Sequence, residues 1–199
     1  MVANRGYQST GAKTRHRLIE AAADLLAEEG YPAITARRIA GHAGLKPQLV
    51  HYYFRSMEEL VVTVFQRSTA IYFHLHDEAL SSAYPLRALW NLNASQPEAR
   101  RVLEFVALGK QYPLLREEMR KAGERFRALQ VEAIEKVYSE RQINSPEISA
   151  QTLALLLSAI ARSMVIEGQV GMTAAHDETR SAILGYLSRI EGSPNTREA

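Results

Sequence analysis

The sequence predicts an all-α chain of about nine helices, and three observations carry that expectation. Apolar residues recur at three- and four-residue spacing, as in Leu18, Ala22, Leu25 and Leu26, the period of a helix with one buried face. Helix start and stop residues punctuate the chain throughout, among them Gly30-Tyr31-Pro32 and Ser95-Gln96-Pro97-Glu98. No stretch keeps the two-residue alternation of a half-buried strand.

The elements follow in order. Residues 1–10 read as a loose polar tail, and the first helix covers 13–29. Gly30 supplies a positive-φ residue after its last turn and Pro32 blocks continuation. Thr35 caps a second helix over 36–42, which ends near Gly44. Pro47 stands in the first turn of a third, where its missing N–H costs nothing. Ser56-Met57-Glu58-Glu59 is a capping box opening a long helix that carries Leu60, Val64 and Ile71. Tyr84-Pro85 precedes a short helix over 86–93. Further helices are expected over 97–109, from Pro113 to about residue 141, from Asn144-Ser145-Pro146-Glu147 to residue 167, and over 174–190. Gly192 onward reads as tail.

With 46% hydrophobic and 23% charged residues among 199, the chain has material for a core and lies far from a disordered composition. It has no cysteine, which excludes disulfides and thiolate chemistry and points to a reducing cytoplasm. No signal-peptide core is seen at the start and no run reads as long enough to span a bilayer, so a cytoplasmic protein without a membrane partner is expected. Charge is uneven. Residues 1–55 hold eight basic residues against four acidic, and the remainder holds 16 against 18. A basic head on a slightly acidic body suits a polyanion-binding module joined to a second domain.

Two short helices joined by a tight Gly-containing turn form the supersecondary unit used to read a DNA groove. Ile39, Ala40, Ala43, Leu45 and Val50 lock them together, leaving Lys46, Pro47, Gln48, His51 and Tyr52 outside. Gln48 suits a bidentate contact to adenine, and Pro47 and Leu49 offer apolar surface to a thymine methyl. Arg37, Lys46, His51 and the tyrosine hydroxyls suit phosphates. Phe54 is expected in the core, whereas Tyr53 is open between core and phosphate.

The stretches "RLIEAAADLLAEEGYPAIT" and "ITARRIAGHAGLKPQLVHYYFRSMEELV" resemble the N-terminal domain of the TetR (tetracycline repressor) family over residues 13–62. The resemblance implies a homodimeric DNA-binding transcriptional regulator, a repressor released from a palindromic operator by a small-molecule effector. It implies a helix-turn-helix domain over 11–56, an effector-binding and dimerisation domain over 57–191, and a flexible tail over 192–199. Carried over, the DNA contacts are Thr35, Arg37, Lys46, Pro47, Gln48, His51, Tyr52 and Tyr53. Three positions depart from the pattern: Lys46 replaces a capping Ser or Thr, His51 replaces Tyr, and Met57 replaces a Lys for which Arg55 can substitute.

In the body, Trp90, Phe105, Tyr112, Met119, Phe126, Tyr138 and Met164 are candidates to line an effector pocket, against the plainer reading that they fill the core. Leu153, Leu156, Leu157, Ile160, Ile183 and Leu187 belong to two final helices whose apolar surface exceeds one narrow stripe. A four-helix dimer interface is expected there, against the alternative of a monomer's buried centre. His74 and His76 lie two apart, so their side chains point roughly 200° apart on a helix and read as a solvated pair rather than metal ligands. The run 116–121 reads as an exposed face with ion pairs. With no Gly-rich phosphate loop and no nucleophile elbow, no catalytic residue, metal or cofactor is expected, and the chain is read as not an enzyme. The rival readings are a helical protein-interaction module and an all-α enzyme using a body cavity.

Overall fold

A computed structural model describes residues 3–144 and 146–192, without the side chains of 3–10 and 96–100. The described residues form nine α-helices and one 3-10 turn, with no strand. The helices are α1 (Ala3–Glu28), α2 (Ala36–His42), α3 (Gln48–Tyr53), α4 (Met57–Leu80), α5 (Pro85–Asn93), α6 (Gln96–Gly109), α7 (Pro113–Glu140), α8 (Ala150–Gln169) and α9 (His176–Glu191). The all-α expectation holds.

Several boundaries are corrected. The helix expected over 13–29 begins at Ala3: once a helix is nucleated each added residue gains a hydrogen bond, and residues 3–12 contain no proline. The eighth helix does not start at Asn144-Ser145-Pro146-Glu147, of which Ser145 lies outside the described residues. Its cap is Ser149, whose Oγ accepts from Thr152 N at 3.2 Å. The Tyr138 hydroxyl donates to the Ile148 carbonyl at 2.9 Å and holds that residue outside the helix. The last helix starts two residues late because Ala175 is left-handed, with φ 63°. Of the tail expected over 192–199, only Gly192 is described.

The chain forms two compact units, residues 1–70 with 101–120, and 71–100 with 121–199. This division differs from a boundary at 56/57, for a physical reason. The apolar stripe of α1 packs on more than α2 and α3: the first core is completed by Leu60 and Val64 of α4, Phe105 and Leu108 of α6 and Leu115 of α7. In that core Leu18, Ile39, Ala40, Val50 and Phe54 are almost fully buried. Ile71, expected on the apolar face of α4, is instead exposed.

The second core gathers Leu86 and Trp90 of α5, Ile134 and Val137 of α7, and Leu187 of α9 around Leu153, Leu157 and Ala161 of α8. Three of the expected interface residues, Leu153, Leu157 and Leu187, therefore sit inside their own unit, with 3%, 7% and 0% exposure. Ile160 and Ile183 pack partly buried against this core, and Leu156 stays exposed beside Leu155. At helical spacing 153, 157, 161 and 164 turn inward, and 155, 156, 159 and 166 turn outward. By length and composition α8 is apolar enough to cross a bilayer, which corrects the expectation that no run is; its inward residues are those of the core just described.

The paired reading of His74 and His76 is corrected as well. His74 is exposed, 3.3 Å from Glu78, but His76 is fully buried. Burial holds its pKa down to about 4, against a smaller raising effect of the Tyr72 backbone. The neutral ring is packed 4.9 Å from Phe126 and 4.8 Å from Tyr72.

Candidate nucleic-acid interface

The turn between α2 and α3 rests on Gly44, at φ 64°, and on Leu45 N donating to the Ala40 carbonyl at 2.8 Å. Thr35 opens α2, its Oγ1 accepting from Arg38 N at 3.3 Å; its hydroxyl proton remains available to an outside acceptor. Pro47, expected inside the first turn of α3, is instead its N-cap residue and, having no polar side-chain atom, supplies no cap. Val50 and Phe54 anchor α3 from behind, both 1% exposed, and the Arg15 guanidinium lies 4.7 Å over the Phe54 ring. Ser56 Oγ accepts from Glu59 N at 3.1 Å, and the Glu59 carboxylate reaches back to Arg55 N at 2.8 Å, so the expected capping box starts α4.

Facing away from that anchor, Lys46, Pro47, Gln48, His51 and Tyr52 are all exposed, Tyr52 to 73%. Thr35 and Arg37 are exposed at the start of α2. Tyr53 is half-buried against the first core, edge-on to Tyr52 at 4.9 Å. A Cβ on Gly11 would lie 3.7 Å from its hydroxyl, so α1 crowds the tip of that ring. Packing thus takes Tyr53's ring.

Sequence reasoning overlooked the braces. Arg17 of α1 donates to the Ala43 carbonyl, tying the helix-turn-helix turn to the first helix. Both carboxylate oxygens of Glu29 accept from Arg38. Arg37 and Arg38 read as equivalent cations in the chain, yet Arg38 is committed to Glu29 and Arg37 has no partner among the described residues. Only the folded register separates them. Lys46 and the Arg55 side chain likewise have no ion pair among the described residues, leaving cations available to phosphate.

The seven effector candidates do not gather at one place. Phe105, Tyr112 and Met119 belong to the first core, Phe105 edge-on to Phe65 at 5.1 Å. Trp90 and Met164 lie in the second core, Trp90 fully buried, with Tyr138 beside them. Phe126 stacks on Phe73 at 3.9 Å, and the Arg125 guanidinium covers Phe73 at 4.1 Å. A cleft of about 410 Å³ in the second unit is lined by Leu80, Pro85, Leu129, Lys136 and Arg141 among others, and by none of the seven. In the run 116–121, Glu117 and Arg120 pair at 2.7 Å. Among the described residues no three His, Cys, Asp or Glu side chains group as metal ligands.

An all-helical chain whose basic head exposes the second helix of a helix-turn-helix belongs to the DNA-binding class. Residues 18–64 match the model of bacterial regulatory proteins of the tetR family. The HTH-type transcriptional regulator BetI of Rhizobium meliloti (strain 1021) is 32% identical over 68 residues, 34% of this chain and 32% of that protein. The chain thus matches about a third of the curated relative's length. Among solved structures, a protein from Saccharomonospora viridis in complex with choline aligns at TM-score 0.75 and 21% identity, over 89% of this chain and 96% of that one. A TetR transcription regulator from Haloarcula marismortui ATCC 43049 aligns at 0.70 and 16%, over 90% and 98%. Both likenesses concern the fold. The helix-turn-helix domain over residues 18–64 is thus of the tetR type.

Proposed function

We propose that the chain is a cytoplasmic, homodimeric repressor that binds a palindromic operator and is released by a small-molecule effector, with no catalytic activity of its own. One observation carries the DNA part: Lys46, Pro47, Gln48, His51 and Tyr52 stand together in solvent while Val50 and Phe54 hold α3 from behind. Gln48 reads a base edge, Pro47 and Leu49 offer apolar contact, and Thr35, Arg37, Lys46, His51 and Tyr52 hold phosphates, with Tyr53 limited to its hydroxyl.

Selecting bound sites from random duplex DNA and titrating the recovered site at several salt concentrations tests this. Lys46→Ala should weaken binding to all sequences and flatten the logarithmic salt slope by about one. Gln48→Ala should lose discrimination at one base position, by roughly 1–3 kcal/mol. An unchanged motif for Gln48→Ala removes it from the readout, and absence of salt-dependent binding sinks the function.

The dimer rests on the outer side of α8, where Leu155 and Leu156 remain 56% and 40% exposed and Ile166 42%. Beside it α9 exposes Ala182 and Gly185, small residues that permit close helix approach. A two-fold dimer presents two equivalent heads to a palindrome. Leu156→Arg should give monomers by light scattering and cost operator binding, because a charge in an apolar contact is left desolvated. A wild-type monomer at micromolar concentration ends the dimer reading. Release is a population shift: the effector prefers a state whose head spacing misses consecutive half-sites.

A further inference from the structure

A polar line crosses the second unit from its interior outward. Buried His76 of α4 has Nε2 3.3 Å from the amide nitrogen of Gln130 on α7, so the ring nitrogen accepts and the ring is neutral. The Ser158 hydroxyl of α8 lies 3.1 Å from Gln130 Oε1 and 2.9 Å from the Ala154 carbonyl, and donates to either. Arg127 of α7 donates to Ser158 Oγ at 3.5 Å. That long contact is its only hydrogen bond among the described residues, although the side chain is half-buried. Arg162, one turn beyond Ser158, has no hydrogen bond or ion pair among them. Burial first, and then the like charge of Arg162, lower the Arg127 guanidinium below its ordinary value.

The surplus is entirely of donors. Two guanidinium groups near enough for their like charges to interact, one partly desolvated, have no ion pair among the described residues, and an anion placed between them would relieve the repulsion. Trp90 Nε1, fully buried, also lacks an acceptor among the described residues. Its ring packs in the core with Leu157 and Ala161, which adjoin Ser158 and Arg162 in sequence. The aromatic group of Tyr72, Phe73 and Phe126 does not await a cation, because Arg125 already covers Phe73.

We propose that Arg127, Ser158 and Arg162 bind an oxyanion, the carboxylate or phosphate group of a small molecule. Guanidinium forks match both groups bidentately, and the serine hydroxyl adds a third donor. Taking that molecule as the effector rests on the functional reading above; the oxyanion site itself does not.

Thermal unfolding of the full-length protein tests the site, with sodium benzoate and inorganic phosphate as probes at about 10 mM and sodium chloride at matched ionic strength. At least one probe should raise the wild-type Tm by roughly 2–4 °C beyond the chloride control. Arg162→Gln, at an exposed position, and Arg127→Gln should each fold and lose that increment. No increment from either anion, or an undiminished one in both variants, overturns the site. An increment from choline chloride in their place overturns the anionic class and leaves the effector reading standing. An anion increment that vanishes in the variants but leaves DNA affinity unchanged supports the site and ends the effector reading. Conversion of Arg162→Gln to a monomer, with no anion increment in the wild type, assigns these cations to the subunit contact and overturns the proposal.

Discussion

Phe54→Ala is expected to destabilise the first unit by about 3–5 kcal/mol and to abolish DNA binding. The ring is 1% exposed at the end of α3, in a core with Leu18, Leu60 and Val64. Its backbone N–H donates to the Val50 carbonyl at 2.9 Å and ends the helix in extended conformation, φ −132°. Removing the ring leaves a cavity behind the element that carries the reading residues, so stability and binding fail together. Phe54→Leu keeps most of the volume and should cost less than about 1.5 kcal/mol with binding retained. Urea unfolding followed by circular dichroism, with DNA titration in parallel, reads both effects. A Phe54→Ala protein with a wild-type midpoint and wild-type binding refutes this anchoring account.

Glu191→Ala should cost about 3 kcal/mol in the second unit. The buried carboxylate at the end of α9 accepts from the backbone N–H of Leu86 and of Arg87, each at 2.8 Å, and so caps α5 from over a hundred residues away. Arg141 donates to the backbone carbonyl of the same residue. Alanine leaves one buried and one half-buried amide unpaired and removes the carboxylate that faces the Arg87 charge. Burial raises the Glu191 carboxyl above its ordinary value, opposed by those two amides and by Arg87 and Arg141. A raised value means that the folded state binds the proton more tightly than the unfolded state. This contribution is fully present below the unfolded value and is lost as pH rises through the folded one. Wild type should therefore gain stability over Glu191→Gln on acidification through that window. Denaturant midpoints of both proteins at several pH values test the sign, and a gap that closes toward acid contradicts it.

Much of the head could be read from local chemistry. Thr35, Gly44, Pro47 and the Ser56–Glu59 box act through bonds to residues a few positions away, so composition and spacing identify them. The reading face of α3 followed because Val50 and Phe54 leave few other residues to face solvent. The second unit was harder. His76 looked like half of a solvated pair, and only packing against Tyr72 and Phe126 reveals a buried neutral ring. Arg127 and Arg162 carry no motif; a missing partner is invisible in a linear chain.

The helical period, the punctuating Gly and Pro residues and the basic first quarter were enough to determine an all-α chain with a helix-turn-helix head. Each of those signals is local or additive along the chain. Which of Arg37 and Arg38 pairs with Glu29, which leucines of α8 turn inward, and where the two compact units divide were decided by tertiary structure. Those outcomes depend on partners dozens of residues distant. Glu29 captures Arg38, Phe105 and Leu115 complete the core of α1, and Glu191 caps α5. Periodicity identifies a buried face, but only three-dimensional packing determines what it is buried against.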